Sequence, residues 1–279
     1  MKIPELLNGE FIDSFAAVRL KHCKITKERL IADAETDKLF AIMLVLPYPR
    51  AKEGSLFASF STIPDYHAYF TKYLSEKLSK LEIFNNKYMR VFSDHSPIDE
   101  RDAACRAGLG VMGDNGLFIS HSHGSFVFLG EIICNLSEEE LEREGVPIGC
   151  VIPGECLHCS ACAAACPAGC IGHGKNLCVS HLTQKKGHLS DIEADIIRKS
   201  KYVWGCDICA LACPMNKAIK EAEYNPYFLK RSINIEKYSD IEEMSEEEYS
   251  SWPFSWRKKE VIKRNFDLYG SDNTEGGNI

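Results

Sequence analysis

The sequence predicts a layered α/β or α+β domain over residues 1–150, followed by a small metal-binding module. Two observations predict this division. Apolar runs of strand length alternate with a helical pattern of apolar residues in the first half of the chain. Cysteine, glycine and proline then dominate through Pro214, a composition that suits a compact metal-binding fold better than a large apolar core.

The first half contains one well-defined helical pattern and four candidate strands. The run LFAIMLVLPYP, residues 39–49, is continuous and apolar and ends in two prolines, which is typical of a strand buried on both faces. Residues 65–84, DYHAYFTKYLSEKLSKLEIF, place apolar side chains at helical spacing. Further strands are predicted at YMRVFSD, GLFIS and SFVFLGEIIC.

The composition excludes several classes of protein. The amino-terminal stretch MKIPELLNGEFIDS lacks a basic region followed by an apolar core, and no apolar run approaches the ~20 residues needed to cross a bilayer. We therefore expect a soluble, cytoplasmic protein with no membrane partner. The net charge of −7 argues against indiscriminate binding to nucleic acid. In a reducing compartment, 13 cysteines concentrated in the middle of the chain favour metal binding over disulfides.

The clearest motif is CLHCSACAAACP, in which cysteines follow one another with two, two and three residues between them, before a proline. Its cysteines are Cys156, Cys159, Cys162 and Cys166. In bacterial two-cluster ferredoxins, three cysteines of such a run bind one [4Fe–4S] cluster and the fourth binds another. The motif therefore predicts a second set of cysteines elsewhere in the chain.

The second set lies in GCDICALACP, where Cys206, Cys209 and Cys213 precede a proline. This motif lacks the leading cysteine of a full run, and Cys178 is the predicted replacement. Eight thiolates then divide between two [4Fe–4S] clusters that together form an electron relay. One cluster is predicted to be bound by Cys156, Cys159, Cys162 and Cys213, and the other by Cys166, Cys178, Cys206 and Cys209.

Two zinc sites are the alternative, because four thiolates also suit zinc. Zinc modules usually pair two C-x2-C knuckles across a gap, and three closely spaced cysteines with a trailing Cys-Pro differ from that pattern. The cysteines outside the motifs are predicted to be small buried apolar side chains, although Cys105 lies close enough to the glycine-rich stretch described next to line a site. They are Cys23, Cys105, Cys134, Cys150 and Cys170.

The segment before the cluster motif is longer than a plain two-cluster ferredoxin needs, so we expect it to use the electrons. Its stretch GLGVMGDNG contains four glycines. Such a stretch lets the backbone adopt positive φ angles and approach a large flat ligand closely. It is not the G-x-G-x-x-G that opens a helix after a strand, so it does not predict a dinucleotide site.

Several stretches together resemble the epoxyqueuosine reductase family, cobalamin and iron–sulfur enzymes that carry out the last step of queuosine synthesis in tRNA. They are SDHSPIDERDAACRAGLG, GSFVFLGEI, the cluster run, CVSHLTQKKG and WGCDICALACPMNK, with AIMLVLPYP and DYHAYF nearer the amino terminus. The resemblance covers roughly residues 40–265. It implies a nitroreductase-like cobalamin-binding domain (1–150), a ferredoxin-like double [4Fe–4S] module (151–222), and a short helical extension with a disordered tail (223–279).

By this resemblance, cobalamin is expected to bind base-off, without a protein ligand to cobalt. The D-x-H-x-x-G motif that supplies such a ligand is absent, because Phe70 stands where the glycine is required after Asp65 and His67. We therefore expect His67 to be a structural histidine rather than a cobalt ligand.

The resemblance also implies roles for individual side chains. Asp94 aligns with the family's proton donor, a role that requires a carboxyl group with a raised pKa in a closed pocket; the alternative is a cap on the following turn. Arg101 is implied to position substrate through charge-assisted hydrogen bonds, unless it is a solvated or core-bridging arginine. The residues implied to contact cobalamin are Asp94, Phe118, Leu129, Ser180 and Asp207, although Phe118 and Leu129 also suit an ordinary core.

The chain departs from the family pattern in two ways. Where the family usually reads G-x-G-W-x-G-K-N, this chain has Val111 for the tryptophan and Asp114 for the lysine. Longer members continue into helical repeats that help to hold tRNA, whereas the sequence here ends soon after KRNFDLYG, so we expect those repeats to be missing. Its remaining basic residues predict either a phosphate-binding face or solvated helix faces. They are Lys185, Lys186, Arg198, Lys199, Lys201, Lys230, Arg231, residues 257–259, Lys263 and Arg264.

Three functions therefore remain open. The first is an epoxyqueuosine reductase that takes electrons from an external low-potential donor and acts on a tRNA anticodon loop. The second is a reductase with the same cofactors and a small-molecule substrate, because GDNGLFIS also resembles corrinoid reductive dehalogenases. The third is an electron carrier, which leaves Asp94 and the glycine stretch without a role.

Overall fold

The computed structural model of the protein describes residues 1–149, 154–217, 219 and 222–271. The predicted tail beyond residue 271 and Cys150 lie outside the described residues. The strands are β1 (Ser14–Arg19), β2 (Phe40–Pro47), β3 (Met89–Phe92), β4 (Gly110–Met112), β5 (Phe118–Ser120) and β6 (Val127–Cys134). The α-helices are α1 (Ile3–Gly9), α2 (Tyr66–Ala68), α3 (Ser75–Leu78), α4 (Glu100–Arg106), α5 (Glu138–Glu144), α6 (Ala161–Ala165), α7 (Val179–Thr183), α8 (Asp191–Ser200), α9 (Ile208–Ala212), α10 (Pro214–Lys217), α11 (Pro226–Leu229), α12 (Ser239–Glu242), α13 (Glu246–Ser250) and α14 (Lys259–Ser271).

The described chain forms two compact units that do not follow chain order. The first unit comprises residues 1–48, 66–149, 154–158, 219 and 222–225. The second unit comprises residues 49–65, 159–217 and 226–271. Residues 49–65, which precede most of the first unit's elements, thus belong with the cysteine-rich segment.

The first unit is built on a four-stranded antiparallel sheet in the order β1-β2-β6-β3. Every residue of β2 is buried, as the continuous apolar run 39–49 predicted. Antiparallel pairing throughout this sheet, together with surrounding helices, makes the unit α+β within the predicted class. Strand β1 was not predicted, because only three of its six residues are buried and its apolar signal is weak.

The strand β6 presents different residues to the two faces of the sheet. An added Cβ at Gly130 would lie 2.4 Å from the ring of Phe70, so the helix containing Phe70 packs closely on that face. Side chains alternate along a strand, and Glu131 therefore points to the opposite face. Helix α4 packs against β2 and β6 and buries Ala103 and Ala104 in the core that includes Ile133.

The helix predicted over residues 65–84 is present from α2 to α3. Its central turns, Tyr69–Leu74, are π-helical. The apolar side chains that predicted it, Phe70 and Leu74 among them, are buried. Helical spacing therefore identified the buried face, while the local widening of the helix left no signal in the sequence.

The glycine-rich stretch forms the hairpin β4–β5. A Cβ added to Gly110 would lie 2.3 Å from the backbone oxygen of Ile119 and 2.6 Å from the ring of Phe118. Gly108 and Gly116 have positive φ angles of 79° and 72°. The hairpin itself therefore requires the small residue at position 110.

The second unit has its own apolar core, larger than the composition of the cysteine-rich segment predicted. Trp204 is fully buried and packs with Phe57 and Phe254, which come from outside that segment. The buried Asn265 side chain donates hydrogen bonds to the backbone oxygens of Thr183 (2.7 Å) and Val203 (2.9 Å). Residues 49–65 and the carboxy-terminal helices thus supply the apolar surface that the cysteine-rich segment lacks.

In the part of the chain that the structure describes, no helix has both the length and the apolar character needed to span a membrane.

Candidate active site and cysteine module

Two short helices of similar sequence organise the cysteine module. Helix α6 is followed directly by Cys166, and helix α9 is followed directly by Cys213. In both cases the cysteine has an extended backbone and the next residue is a proline, which ends the helix. The two helices pack against each other. The repeated Cys-Pro motif therefore builds two matching thiol-bearing turns.

The second unit brings most of the predicted cluster ligands together. The thiol of Cys209 interacts electrostatically with those of Cys178, Cys162 and Cys166, and that of Cys206 interacts with those of Cys209 and Cys178. All twelve described cysteines are free of disulfides. Of the other two predicted ligands in the first motif, Cys156 belongs to the first unit and Cys159 to the second.

Burial makes several of these thiols poor acids in the absence of a metal. Burial raises the pKa of Cys206 to about 12 and that of Cys209 to about 11. A cluster binds thiolates, so loading these positions with iron must displace their protons. Free cysteine thiols that lie close together are the ligands that [4Fe–4S] clusters require.

One thiol in this group was not predicted. The sulfur of Cys170 lies 3.6 Å from that of Cys166 and interacts with the thiol of Cys178. We expected Cys170 to be a small buried apolar residue, but it is only half-buried. The signal was its position four residues after Cys166, which places it in the loop that leads away from α6. Cys23, Cys105 and Cys134 are buried, as expected, and Cys105 lies in the apolar core rather than lining a site.

The first unit places Asp94 on an unusual backbone. Its φ angle is 60°, in the left-handed region that a non-glycine residue rarely adopts. The backbone N–H of Asp94 donates to both carboxylate oxygens of Glu100, at 2.8 and 2.9 Å. The helix α4 thus anchors the loop in a conformation that costs energy, a feature that concentrates at functional sites.

The carboxylate of Asp94 has two side-chain partners. The hydroxyl of Tyr66 donates to its Oδ2, and His67 Nε2 lies 3.1 Å from the same oxygen. Tyr66 and His67 come from α2, so the first turn of this helix and the Asp94 loop converge. His67 is therefore a side-chain partner of Asp94 in this structure.

The pKa of Asp94 differs from the expectation. Burial by itself raises the pKa of this carboxyl, but hydrogen bonds from His67 and Tyr66 and the charge of Arg101 outweigh burial and leave the pKa below its ordinary value. The side chain is 58% exposed, so the pocket is not closed in this structure. A proton donor at this position therefore needs an environment that further covers the carboxyl group.

The other predicted site residues have identifiable contacts. Arg101 donates to the backbone oxygen of Gly116 at 2.7 Å and bridges α4 to the hairpin. Phe118 is buried in the first unit's core, against which the partly buried Leu129 packs. In the second unit, the buried carboxylate of Asp207 accepts hydrogen bonds from both the backbone and the hydroxyl of Ser59, each at 2.7 Å.

Ser180 is half-buried at the start of α7, where its hydroxyl accepts a hydrogen bond from Gln184 at 3.2 Å. Of the five residues implied to contact cobalamin, Asp94, Leu129 and Ser180 keep accessible surface, while Phe118 and Asp207 are buried within their own units.

Asp114, which stands where the family usually has lysine, has a side-chain partner nearby. The carboxylate of Asp114 lies 2.8 Å from Nδ1 of His158, and this interaction raises the pKa of His158. The same nitrogen lies 3.5 Å from the sulfur of Cys156, to which the His158 backbone N–H also donates. An acidic residue in the glycine stretch is thus linked through a histidine to a predicted cluster ligand.

Several predicted basic residues of the second unit are held in local contacts. Lys185 and Lys199 pair with Glu193 and Asp195, and Arg264 donates to backbone oxygens including that of Lys185. These contacts match the alternative of solvated or structural helix faces. Of the predicted basic residues, Lys185, Lys199 and Lys263 have ion-pair partners in the described ranges. Arg257, Lys259 and Arg264 instead donate to backbone oxygens.

Comparison with protein families matches residues 155–216 to a 4Fe-4S double cluster binding domain. The chain is 30% identical to the epoxyqueuosine reductase of Listeria monocytogenes, over 93% of this chain and 70% of that protein. It is also 30% identical to the epoxyqueuosine reductase of Lactococcus garvieae, over 72% of this chain but only 57% of that protein. The chain thus spans 57% to 70% of the length of these two relatives.

Solved structures show the same fold. The epoxyqueuosine reductase of Streptococcus thermophilus superposes with a TM-score of 0.70 at 23% identity, covering 97% of this chain and 80% of that one. An epoxyqueuosine reductase solved with an epoxyqueuosine-modified tRNA-Tyr stem loop gives a TM-score of 0.65 at 24% identity, covering 95% and 80%. Both superpositions include the α+β and cysteine-rich parts, since they cover nearly the whole chain.

Proposed function

Because this chain belongs to the epoxyqueuosine reductase family, we propose that it reduces epoxyqueuosine to queuosine in tRNA. Electrons from an external low-potential donor would pass through two [4Fe–4S] clusters to cobalamin. The observation that carries the proposal is the Asp94 site, where a strained loop holds a carboxylate against Tyr66 and His67. An electron carrier has no use for such a site.

The cysteine module supports the electron relay. Residues 155–216 match a double-cluster domain, and the second unit gathers Cys166, Cys178, Cys206 and Cys209 within electrostatic contact. We assign these four to one cluster and Cys156, Cys159, Cys162 and Cys213 to the other. The packing of α6 against α9 keeps the two Cys-Pro turns close, which suits electron transfer between the clusters.

Cobalamin is proposed on the basis of family membership, and the side chains fit it in part. Leu129 and Ser180 have accessible surface for a corrin, and the contact of His67 with Asp94 supports binding without a histidine ligand to cobalt. When bound, cobalamin would supply a strongly reduced centre that delivers electrons to the substrate.

The chain's own residues would manage the proton. Removing an epoxide oxygen as water consumes two electrons and two protons, and Asp94 would donate to the departing oxygen. The 3.1 Å contact lets His67 and Asp94 hold one proton between them. Covering the site would disfavour the charged pair and move the proton toward the carboxyl group, because burial penalises charge.

The Asp114–His158 pair favours a second candidate, a small-molecule reductase with the same cofactors. The family lysine at this position carries a positive charge that suits an anionic substrate, whereas Asp114 carries a negative one. An acidic residue here weakens the attraction for a polyanion such as tRNA. The two candidates differ only in substrate.

The experiment is an anaerobic turnover assay. The protein is reconstituted with iron, sulfide and cobalamin, reduced chemically, and incubated with tRNA from cells that lack the reductase. Mass spectrometry of the nucleosides should show the loss of one oxygen from epoxyqueuosine. If a protein with both clusters and bound cobalamin leaves epoxyqueuosine intact, the tRNA assignment is wrong. Asp114→Lys is then the first variant to assay.

A further inference from the structure

A second acidic side chain lies beneath the Asp94 loop and has no role in the reaction described above. Glu131 is 0% exposed, in the middle of the sheet, where β6 pairs it with Met43 on one side and Phe92 on the other. Among the described residues the Ser96 hydroxyl interacts with this carboxylate, but neither of its oxygens has a donor in hydrogen-bond geometry. An ionised carboxylate left so in an apolar layer is too costly to persist.

Glu131 faces the helix that anchors the catalytic loop. Helix α4 lies on the face of the sheet to which Glu131 points, and its first residue is Glu100. The carboxyl groups of Glu100 and Glu131 lie close enough to interact, so a proton on either one would let them form a hydrogen bond. Both oxygens of Glu100 also accept the backbone N–H of Asp94. A proton shared by the two glutamates would therefore complete a series of hydrogen bonds from Glu131 through Glu100 to the Asp94 backbone.

Two carboxylates cannot bond to each other, since neither has a donor, but one carboxyl and one carboxylate can. One proton between Glu100 and Glu131 would satisfy an otherwise orphaned Glu131 oxygen. Burial and the neighbouring glutamate raise the pKa of Glu100 well above its ordinary value, and burial raises that of Glu131. The other charged or titratable groups that act on Glu131 are Asp94, Lys27 and Cys23.

We propose that Glu100 and Glu131 share a single proton and that this protonated pair positions Asp94 for the reaction. Within the proposed function, on which this inference rests, neither glutamate contacts substrate. The pair acts through the Asp94 backbone, because a Glu100 held by Glu131 keeps its oxygens on the Asp94 N–H and supports the left-handed φ angle there.

Loss of the shared proton would release the loop. Two negative charges side by side in a dry layer repel each other, so Glu100 would move toward solvent and the Asp94 N–H would lose its acceptor. The sign follows from linkage. A group whose pKa is raised in the folded protein stabilises it below the unfolded pKa and loses that contribution as pH rises through the folded pKa. The Asp94 loop is therefore expected to be anchored at pH values below the pKa of the glutamate pair and released above it.

The test measures backbone exchange and melting in the full-length protein, and neither requires substrate. Amide hydrogen–deuterium exchange of peptides containing Asp94, corrected for intrinsic rates, is followed from about pH 5 to about pH 9 in the wild type and in Glu131→Gln. The glutamine amide donates to Glu100 at every pH. We expect wild-type protection to fall by up to ~10-fold per pH unit above the pair's pKa, and Glu131→Gln to stay protected.

The melting temperature should follow the same pattern, declining with pH more steeply in the wild type than in Glu131→Gln. Glu76→Gln, on the exposed surface of α3, is the matched control and should behave like the wild type. Glu131→Leu, which offers Glu100 no donor, should expose the Asp94 amide at all pH values. If this variant does not fold, the comparison of wild type with Glu131→Gln still decides.

Equal pH dependence in the wild type and Glu131→Gln, for both exchange and melting, would overturn the shared proton. A Glu131→Gln protein as unprotected at Asp94 as Glu131→Leu would overturn the positioning role. Either result is obtained without turnover, so it is distinct from a failure of the tRNA assay.

Discussion

The cysteine module and the Asp94 site differ in how their functional groups are arranged along the chain. The cysteines lie within residues 156–213 at spacings that a metal cluster dictates. The Asp94 site draws Tyr66 and His67 from α2, Asp94 from the loop after β3, Glu100 from α4 and Glu131 from β6. A metal site can be recognised from local spacing, whereas a proton-transfer site depends on the tertiary fold.

The contrast between a metal site and a proton-transfer site depends on Asp94 being required for turnover. We expect Asp94→Asn to lower turnover by about 10²–10⁴-fold, because asparagine retains the shape but cannot supply a proton. Iron, sulfide and cobalamin content should stay at wild-type values, since Asp94 is more than half exposed and its hydrogen bonds join it to Tyr66, His67 and Glu100. Single-turnover kinetics with metal and cobalamin analysis of the same sample checks both statements.

Loss of cobalamin together with activity in Asp94→Asn would show that the carboxylate helps to hold the cofactor. Retained activity would show that the proton comes from elsewhere, with His67 the first residue to examine.

Substitution of two cysteines tests the assignment of the cluster ligands. The sequence predicted that Cys178 binds a cluster and that Cys170 is a small buried apolar residue. Cys178→Ser should remove about half of the bound iron, because each of the two clusters holds half of the metal. Cys170→Ala, the matched control, should retain all of it, although the Cys170 sulfur lies 3.6 Å from that of Cys166. Iron and sulfide determination and electron paramagnetic resonance of the reduced protein provide the measurement.

The reverse result, with iron retained in Cys178→Ser and lost in Cys170→Ala, would transfer the fourth ligand to Cys170. That outcome would mean that the position of the displaced cysteine cannot be predicted from spacing even within a recognisable motif.

The sequence predicted the parts of the fold whose signals are local. The buried strand over residues 39–49 and the helical pattern from Tyr66 onward were visible because periodicity and burial act within a few residues. Strand β1 and the transfer of residues 49–65 to the second unit were not predicted, because partners distant in sequence decide them. Family resemblance placed Asp94, but nothing local indicated that His67 would contact it.

The roles of Glu100 and Glu131 were even harder to predict from the sequence. Each lies in a stretch that resembles the family, yet a glutamate in ERDAAC or FLGEI looks like an ordinary surface residue by composition. Only the register of β6 and the position of α4 show that Glu131 is buried and that Glu100 reaches both it and Asp94.

A substitution in the glycine stretch should have the smallest effect of those proposed. It tests whether glycine is needed there for a bound ligand or for packing within the hairpin. The sequence predicted close approach to a flat ligand, but in the structure a Cβ at Gly110 would lie 2.3 Å from the Ile119 backbone oxygen. A backbone atom cannot easily yield, so we expect Gly110→Ala to lower the free energy of unfolding by about 1–3 kcal/mol without any cofactor present. Urea unfolding of the cofactor-free protein provides the value.

Gly270 on α14 is the matched control for that substitution. A Cβ at Gly270 meets nothing within 4 Å, so Gly270→Ala should leave stability unchanged or raise it by up to about 1 kcal/mol. If Gly110→Ala matches this control in stability but binds cobalamin more weakly, position 110 is kept small for the ligand. If Gly110→Ala unfolds more easily and the folded fraction binds cobalamin normally, the glycine serves the hairpin, and the motif reports on local packing as much as on the cofactor.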